Sequence, residues 1–239
     1  MFAYQPDTAD KFEASSHQVL KDYGVRVIVG RDFEEFKAIA KQARPDHAVQ
    51  DMFNCDVAPV DEDKAVWMVG VDHADRIIYL QAMRLLPTDG LSVADYLTRQ
   101  VRDFLPEPHT VDMTRTRYRP GPNAQRMRGR VVYSGEFWID GNNPNFRGSS
   151  LSNVLGRQSY LLAMRAFAPD WIIAFMLRRQ VERGAFYRAG FHHAEPSAMR
   201  WCQIGQENVM EGAMLYMSAA DMQFSLELPL VDAPISKAA

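Results

Sequence analysis

The sequence predicts a mixed α/β fold with one core, and three observations support that prediction. The runs 131–139 and 171–177 have the length and the β-branched content of strands. Apolar residues at helical spacing fill 149–168 and 179–189, so strands and helices alternate in this half of the chain. The second of the two strands is wholly apolar, which is typical of a strand buried on both faces in a sheet with right-handed crossovers.

Ordered elements are expected from Val25 onward. The alternation in Val25–Val29 indicates a strand. Asp32 and Glu35 have the spacing of a helix N-cap and its third residue, so a helix is expected from there to about Arg44. The polar stretch 46–63 that follows has the periodicity of neither element, and its length predicts a functional loop.

The next elements are a hairpin and a helix. Two apolar runs, 66–71 and 77–85, are separated by a short polar turn, which predicts paired antiparallel strands. The segment 91–104 has an apolar residue every third or fourth position behind Ser92, a good N-cap, and therefore predicts an amphipathic helix.

The remaining segments complete the expected organisation. The Pro- and Arg-rich stretch 106–130 predicts an exposed excursion, either a solvated loop or a contact for an anionic ligand. Further strands are expected near 201–204 and 214–217. Residues 1–24 are polar and weakly periodic, and we interpret them as a helical extension ahead of a domain spanning 25–239.

Composition and charge exclude several classes of protein. The 239 residues are 47% hydrophobic and 24% charged, the balance of an ordinary globular chain and not of a disordered one. A net charge of −3 provides no basic field for nucleic acid. The two cysteines form no zinc motif or disulfide framework, and no apolar run reaches the roughly 18 residues of a membrane span. We therefore expect a cytoplasmic protein with no metal, no nucleic-acid partner and no membrane partner.

The start of the long helix is a candidate anion site. Small residues at a helix N-terminus let a phosphate approach the unpaired backbone N–H groups, and an arginine there adds a fixed charge. Glycine and serine also cap helices without binding any ligand, so capping remains the alternative. The residues expected at this site are Arg147, Gly148, Ser149, Ser150, Leu151, Ser152 and Asn153.

The segment 182–191, which carries Tyr187 and ends in Gly190 and Phe191, resembles the end of the second motif of the GNAT acyltransferase superfamily, and 146–153 resembles its phosphate loop. The resemblance implies one GNAT-like domain with a mixed, mostly antiparallel central sheet flanked by helices. It also implies a V-shaped splay between two central strands for the pantetheine arm of acyl-CoA, with the loop amides on its pyrophosphate. Serine at both small positions of the loop leaves room for an acyl-carrier protein as donor.

A third segment resembles one branch of that superfamily. The sequence Arg84-Leu85-Leu86-Pro87-Thr88, together with Asp51, Phe53 and Asp56 ahead of it, is similar to the acyl-homoserine-lactone (autoinducer) synthases. The resemblance implies S-adenosylmethionine as the amine substrate, bound by these acids, Phe53 and Arg84 under the 46–63 loop. From the residues alone, the aspartates either bind a cationic amine or are solvated turn residues, and Arg84 equally suits a structural ion pair.

Two side chains are candidates for proton transfer. An amine that attacks a thioester must lose a proton, and Glu136 is the best-placed carboxylate because it stands on an apolar, core-forming strand. The alternative is an exposed strand acid without a chemical role. Tyr187 is a candidate acid for the departing thiolate, although an aromatic on an amphipathic helix also suits plain core packing.

These observations predict an N-acyltransferase that moves an acyl group from acyl-CoA or acyl-carrier protein directly to an amine, without a covalent enzyme intermediate. An autoinducer-synthase-like enzyme is the first specific version. An acyl-CoA-dependent N-acyltransferase acting on an amino acid or a polyamine is the second. A non-catalytic acyl-CoA-binding module, in which Glu136 has no chemical role, is the third.

Overall fold

The fold is built on one sheet, and the computed structural model describes it over residues 6–105, 110–146 and 149–230. The strands are β1 (Arg26–Gly30), β2 (Ala65–Val71), β3 (Ile77–Leu85), β4 (Arg117–Tyr118), β5 (Val131–Ile139), β6 (Trp171–Leu177), β7 (His193–Cys202) and β8 (Val209–Ser218). The helices are α1 (Pro6–Asp22), α2 (Phe33–Ala43), α3 (Val93–Gln100), α4 (Pro122–Arg126), α5 (Leu151–Phe167), α6 (Arg178–Glu182), α7 (Ala185–Arg188) and α8 (Ala219–Glu227). Short 3₁₀ turns occupy Asp51–Phe53, Val101–Phe104 and Pro144–Phe146.

The sheet is mixed and mostly antiparallel. Its strands lie in the order β1-β2-β3-β5-β6-β8-β7-β4, and among the described strands only the pair β5 and β6 is parallel. A parallel pair needs a long crossover, which α5 supplies. The mixed, mostly antiparallel sheet flanked by helices, expected from the sequence and its resemblance, is confirmed.

The helices divide between the two faces of the sheet. On the face we call the α5 face, α5 packs on β2, β5, β6 and β8, with α1 and α8 outside it. On the opposite α2 face, α2, α3, α4 and two of the 3₁₀ turns cover a larger core. Strands buried between two helical layers explain why β2 is apolar along its whole length.

Local signals in the sequence explain several helix ends. The Asp32 side chain accepts hydrogen bonds from the backbone N–H of Glu34 and Glu35, as the N-cap pattern predicts. Ser92 caps α3 in the same way. The predicted helix over 91–104 is an α-helix only to Gln100 and continues as a 3₁₀ turn.

Other expectations need correction. The predicted single helix over 179–189 is wrong, because the segment forms two short helices separated at Gly184, whose φ is +71°. Glycine adopts this left-handed conformation at little steric cost, and it breaks the helical hydrogen-bond ladder. The strands predicted near 201–204 and 214–217 are the later parts of the much longer β7 and β8.

The N-terminal segment packs against the rest of the chain. Ala9 and Phe12 of α1 contact a cluster with Leu161 of α5 and Leu226 of α8. The buried Arg157 lies over the Phe12 ring and donates to the carbonyl oxygen of Leu228 at 2.5 Å. The division into a 1–24 extension and a 25–239 domain stays a prediction. Within the described ranges, no helix is long and apolar enough to cross a membrane.

Candidate active-site cleft

The central feature of the molecule is a gap between β5 and β6. The two strands pair only at Val131–Tyr133 and Trp171–Ile173. Beyond these residues β5 stays on β3 and β6 stays on β8, so the two strands diverge within one sheet. The divergence opens a cleft of about 330 Å³, within the size range of small-molecule sites. A splay between two central strands is what the GNAT resemblance implies.

The cleft has two chemically different ends. The residues that line its α2 face, the polar end, include Arg44, His47, Gln50, Tyr133 and Glu136. The residues that line its α5 face, the apolar end, include Ala174, Met176, Ala189, Phe191 and Leu215. A ligand that passed through the sheet would therefore have its charged part on one side and its apolar part on the other.

A β-bulge aims Glu136 into the polar end. Gln81 on β3 faces both Glu136 and Phe137 on β5, so β5 carries one extra residue at this point. Glu136 itself has φ of +56°, which is uncommon for a residue with a side chain. Without the extra residue, strand alternation would turn Glu136 to the α5 face, the face of Val132 and Ser134.

Glu136 is buried and held on both carboxylate oxygens. The residue is 6% exposed. Oε1 accepts a hydrogen bond from the backbone N–H of Gln50 at 2.8 Å, and Oε2 forms an ion pair with the Arg44 guanidinium. Gly135 beside it lets the loop approach, since a Cβ there would lie 2.5 Å from the Gln50 Oε1 atom. The carboxylate thus has a fixed position at the bottom of the polar end.

Arg44 is the counter-ion of this site. It stands at the C-cap of α2, and its side chain is 13% exposed. Burial lowers the pKa of the guanidinium, but the adjacent carboxylate favours its charged form, and we treat the pair as ionised. Its Nε atom is buried and has no hydrogen-bond partner among the described residues. The sequence analysis missed Arg44, because an arginine at a helix end before a proline carries no functional signal.

Two hydroxyl groups, on opposite faces of β5, line the cleft. Tyr133 is fully buried, and its hydroxyl lies 3.4 Å from the Gln50 side-chain amide. Burial raises the pKa of Tyr133 to about 12, so it stays protonated at neutral pH. Ser134, on the other side of the strand, accepts from the Gln81 amide at 2.6 Å, and Tyr79 donates to the Gln81 oxygen. Neither hydroxyl was singled out from the sequence.

The predicted anion-binding residues are described in part. Arg147 and Gly148 lie outside the described residues. Ser150 is the N-cap of α5 and makes no side-chain cap hydrogen bond, while the Leu151 N–H donates to Ser149 Oγ at 3.3 Å. Ser152 is buried in the first turn of the helix. Asn153 donates to the Tyr187 carbonyl oxygen at 3.2 Å, which brings this helix end beside α7 and the apolar end of the cleft.

Tyr187, the candidate acid, lies on the surface of α7. The residue is 60% exposed and is not among the described residues that line the cleft. Its neighbour Ala189 does line the cleft and packs directly on Gly156 of α5. A role for Tyr187 as the acid stays a prediction, and Tyr133 and Ser134 are the hydroxyl groups that the structure brings to the cleft.

The residues predicted to bind the amine are separated in space. Asp51 and Arg84 line a second cavity of about 660 Å³ on the α2 face, together with Tyr96, Arg102 and Asp103 among others. Arg84 donates to the Met52 carbonyl oxygen at 2.5 Å.

Phe53 and Asp56 do not share that cavity. Phe53 is fully buried and stacks between Phe33 and Tyr133. Asp56 is exposed and forms an ion pair with Lys37 at 2.7 Å. Asp51 and Arg84 therefore remain as candidates to bind an amine substrate, whereas Phe53 belongs to the buried core of the α2 face.

The second cavity has one perturbed acid. Burial raises the pKa of Asp103, and the nearby negative charge of Asp51 adds to the rise.

Within the described ranges, no group of three or more His, Cys, Asp or Glu side chains is placed to hold a metal ion.

Comparisons with known proteins place these features beside solved structures. No protein-family model matches the chain, and no curated protein sequence matches it. Among similar solved structures is FeeM, an N-acyl amino acid synthase from uncultured soil microbes, with 8% identity, 82% of this chain and 92% of that chain covered, and a TM-score of 0.45. TofI in an apo form has 15% identity, coverages of 87% and 99%, and a TM-score of 0.46. NAA60 of Arabidopsis thaliana in complex with acetyl-CoA has 12% identity, coverages of 82% and 98%, and a TM-score of 0.45.

Proposed function

We propose that the protein is an N-acyltransferase that carries out acyl transfer in the cleft between β5 and β6. The observation that carries the proposal is the position of Glu136, which a β-bulge turns into the polar end of a passage through the sheet. Bulges frequently re-aim a side chain next to an active site. A buried carboxylate held by two partners is a fixed proton acceptor, whereas an exposed strand acid has no such constraint.

In the proposed reaction, the amine nitrogen attacks the thioester carbonyl carbon and forms the C–N bond. The C–S bond then breaks, and sulfur leaves with the electron pair as a thiolate. An ammonium substrate loses two protons overall, one before the attack and one as the amide forms. Glu136 accepts a proton from nitrogen, directly or through water, and passes it to solvent, while the thiolate takes up the other.

The donor is proposed to enter from the apolar end. The Ala174, Phe191 and Leu215 side chains offer an apolar surface to an acyl or pantetheine chain. The N-terminus of α5 lies beside α7 through the contact of Asn153 with the Tyr187 carbonyl, and its dipole favours phosphate.

Exposed arginines on the segment that carries α6 and α7 support a phosphate site. Arg179 on α6, Arg183 at its C-cap and Arg188 on α7 are exposed, and they are close in sequence to the cleft residues Gln180 and Ala185. Guanidinium groups suit phosphate because their N–H donors match its oxygens. In the proposal, they and Arg147 hold the donor phosphates, which are three in CoA and one in the pantetheine of a carrier protein.

The acceptor separates the specific versions of this proposal. An autoinducer-synthase-like enzyme takes S-adenosylmethionine and acts with acyl-carrier protein or acyl-CoA. An ordinary N-acyltransferase takes an amino acid or a polyamine with acyl-CoA. Either version works in the cytoplasm, without a metal. A non-catalytic acyl-CoA-binding module would bind the donor and release no thiol.

A donor and acceptor screen tests the proposed function. Purified protein is incubated with acyl-CoA and acyl-carrier-protein panels, with and without amines and S-adenosylmethionine, while thiol release and product mass are recorded. Amine-dependent thiol release with an amide product is expected. Methylthioadenosine among the products identifies lactone synthesis, and donor binding without thiol release for any acceptor contradicts the enzyme proposal.

The donor end has its own test. Arg183→Glu reverses a charge at the proposed phosphate site, so it should weaken CoA binding and raise the dissociation constant by about tenfold. Arg99→Glu, on the exposed side of α3 and far along the chain from this site, is the matched control and should leave CoA binding unchanged. Equal dissociation constants for the two variants would remove the arginines of α6 and α7 from the donor site.

A further inference from the structure

The ion pair of Arg44 and Glu136 carries an inference about the acceptor. Both side chains lie in the lining of the cleft and are largely buried, so each charge depends on the other for compensation. Removing one partner of a buried pair leaves an uncompensated charge, which is strongly unfavourable. A ligand that enters between them must therefore supply both a negative and a positive group.

The charge requirement separates classes of amine. A polyamine or a simple alkylamine brings only positive charge, so it can approach Glu136 only while Arg44 remains opposite it. A zwitterion brings one charge of each sign and leaves the site neutral. Since the two side chains are in direct contact, the two charged groups of the ligand must also lie close together, as they do across a single carbon in an α-amino acid.

The Arg44 side chain has a free edge for such a group. Its Nε–H is buried without an acceptor among the described residues, and the neighbouring Nη2 is the atom that contacts Glu136. The Nε and Nη2 atoms together form the planar fork that holds a carboxylate through two parallel hydrogen bonds. A ligand carboxylate would accept a hydrogen bond from the unpartnered Nε–H and would replace Glu136 as the partner of Nη2.

We propose that the acceptor is an α-amino acid, whose carboxylate binds the Arg44 fork and whose amino group faces Glu136. This inference rests on the proposed acyl transfer and names its substrate class. It also couples recognition to chemistry. A carboxylate paired with a guanidinium accepts a proton poorly, so transfer of Arg44 to the ligand carboxylate makes Glu136 a better base at the moment the amine is in place.

The second cavity is the alternative location for a site that binds an α-amino acid. Arg84 and Asp51 line it and could in principle hold a carboxylate and an ammonium group. Arg84 already donates to the Met52 carbonyl oxygen, however, and the cavity contains no buried, unpartnered guanidinium nitrogen among the described residues. The observations therefore favour Arg44.

The test compares three acceptors that share one side chain: phenylalanine, phenylalaninamide and phenethylamine, with an acyl-thioester donor that the screen has identified. The wild-type protein should use phenylalanine with a kcat/KM at least about tenfold above that of the other two, because a charge-assisted bidentate contact is worth at least that factor. Arg44→Gln should remove this preference, mainly by raising KM for phenylalanine. Arg99→Gln, an exposed arginine on α3, should retain it.

A second substitution at Arg44 controls for the folding of the variants. Arg44→Lys keeps a positive charge opposite Glu136 but not the planar fork, and it should lose most of the preference while unfolding at nearly the wild-type temperature. An equal kcat/KM for all three acceptors in the wild-type protein overturns the inference, as does a preference that disappears in Arg84→Gln and survives in Arg44→Lys. Absence of thiol release throughout the donor and acceptor screen, with charged and uncharged acceptors alike, contradicts the proposed acyl transfer instead.

Discussion

The polar end of the cleft and the second cavity both lie on the α2 face, and their charged side chains have different partners. In the cleft, one acid and one arginine are buried against each other at the end of a bulge. In the second cavity, Asp51, Arg84 and Asp103 line a larger space, and Arg84 donates to a backbone carbonyl oxygen. A short sequence motif pointed to the second cavity, whereas backbone geometry creates the cleft. A recognisable motif therefore need not mark the residues that the fold constrains most, since Arg44, which carried no sequence signal, is buried in the cleft.

The largest expected effect separates the two cavities by rate. Glu136→Gln keeps the shape of the side chain and removes the basic form, so a folded variant should bind donor and lose about 10²- to 10⁴-fold in kcat. Asp51→Asn is the matched change in the second cavity and should cost less than about tenfold. Steady-state kinetics near neutral pH measure both. Wild-type turnover by Glu136→Gln would show that Glu136 is not the base of the reaction and that its carboxylate has only a structural role.

Stability offers the next largest contrast. Arg44→Gln leaves the Glu136 carboxylate buried without its partner, and removal of one partner from a buried pair typically costs about 3–5 kcal/mol. The double variant Arg44→Gln with Glu136→Gln removes both charges and should recover most of that loss. Urea unfolding of the three proteins gives the free energies. A double variant no more stable than Arg44→Gln would show that Arg44 stabilises the protein through contacts other than its ion pair with Glu136.

The apolar end can be tested by packing. Gly156 of α5 lies against α7, and a Cβ there would stand 2.5 Å from the Ala189 carbonyl oxygen. Alanine normally stabilises a helix interior by about 1 kcal/mol over glycine, but here the backbone of α7 must shift, and overpacking of this kind costs about 1–3 kcal/mol. Gly156→Ala should therefore unfold at a lower temperature and bind the donor more weakly. An unchanged or raised Tm would mean that α7 yields freely.

The smallest expected effect belongs to the second cavity. The pKa of Asp103 is raised mainly by burial, so the native state holds its proton to higher pH than the unfolded chain does. Stability contributed by this group therefore falls as pH rises through the window between its ordinary and its raised pKa. Asp103→Asn should raise Tm by about 1–2 °C at neutral pH. Well below the ordinary aspartate pKa of about 3.9 it should not change Tm, because the side chain at position 103 is then uncharged in both proteins. A Tm difference independent of pH would contradict this.

Much of the fold could be predicted because its signals are local. The N-cap at Asp32, the hairpin spacing and the apolar run of β6 each fix an element within a few residues. The break at Gly184 was missed, since glycine within a helical pattern does not by itself end a helix. The lengths of β7 and β8 depend on pairing with each other, and no local pattern records that.

One residue of the candidate site, Glu136, could be singled out from the sequence, but its partners and its arrangement could not. Glu136 stood out as a charge in an apolar strand, and the structure has it buried in the cleft. Its direction depends on a bulge and on a left-handed φ at a residue other than glycine, which has no sequence signal. Its partner Arg44 comes from a distant part of the chain, so only the tertiary fold brings the two together.

The short pairing of β5 with β6 also divides the sheet into two halves that come mainly from different parts of the chain. Residues 26–139 supply β1, β2, β3 and β5, and residues 171–218 supply β6, β7 and β8, with the two-residue β4 as the exception. Three parallel residue pairs and the α5 crossover join the halves within the sheet. A molecule bound in the cleft would contact residues of both halves, so it should hold them together at the three paired positions. Slower amide hydrogen exchange at those positions in the presence of ligand would show this effect independently of turnover.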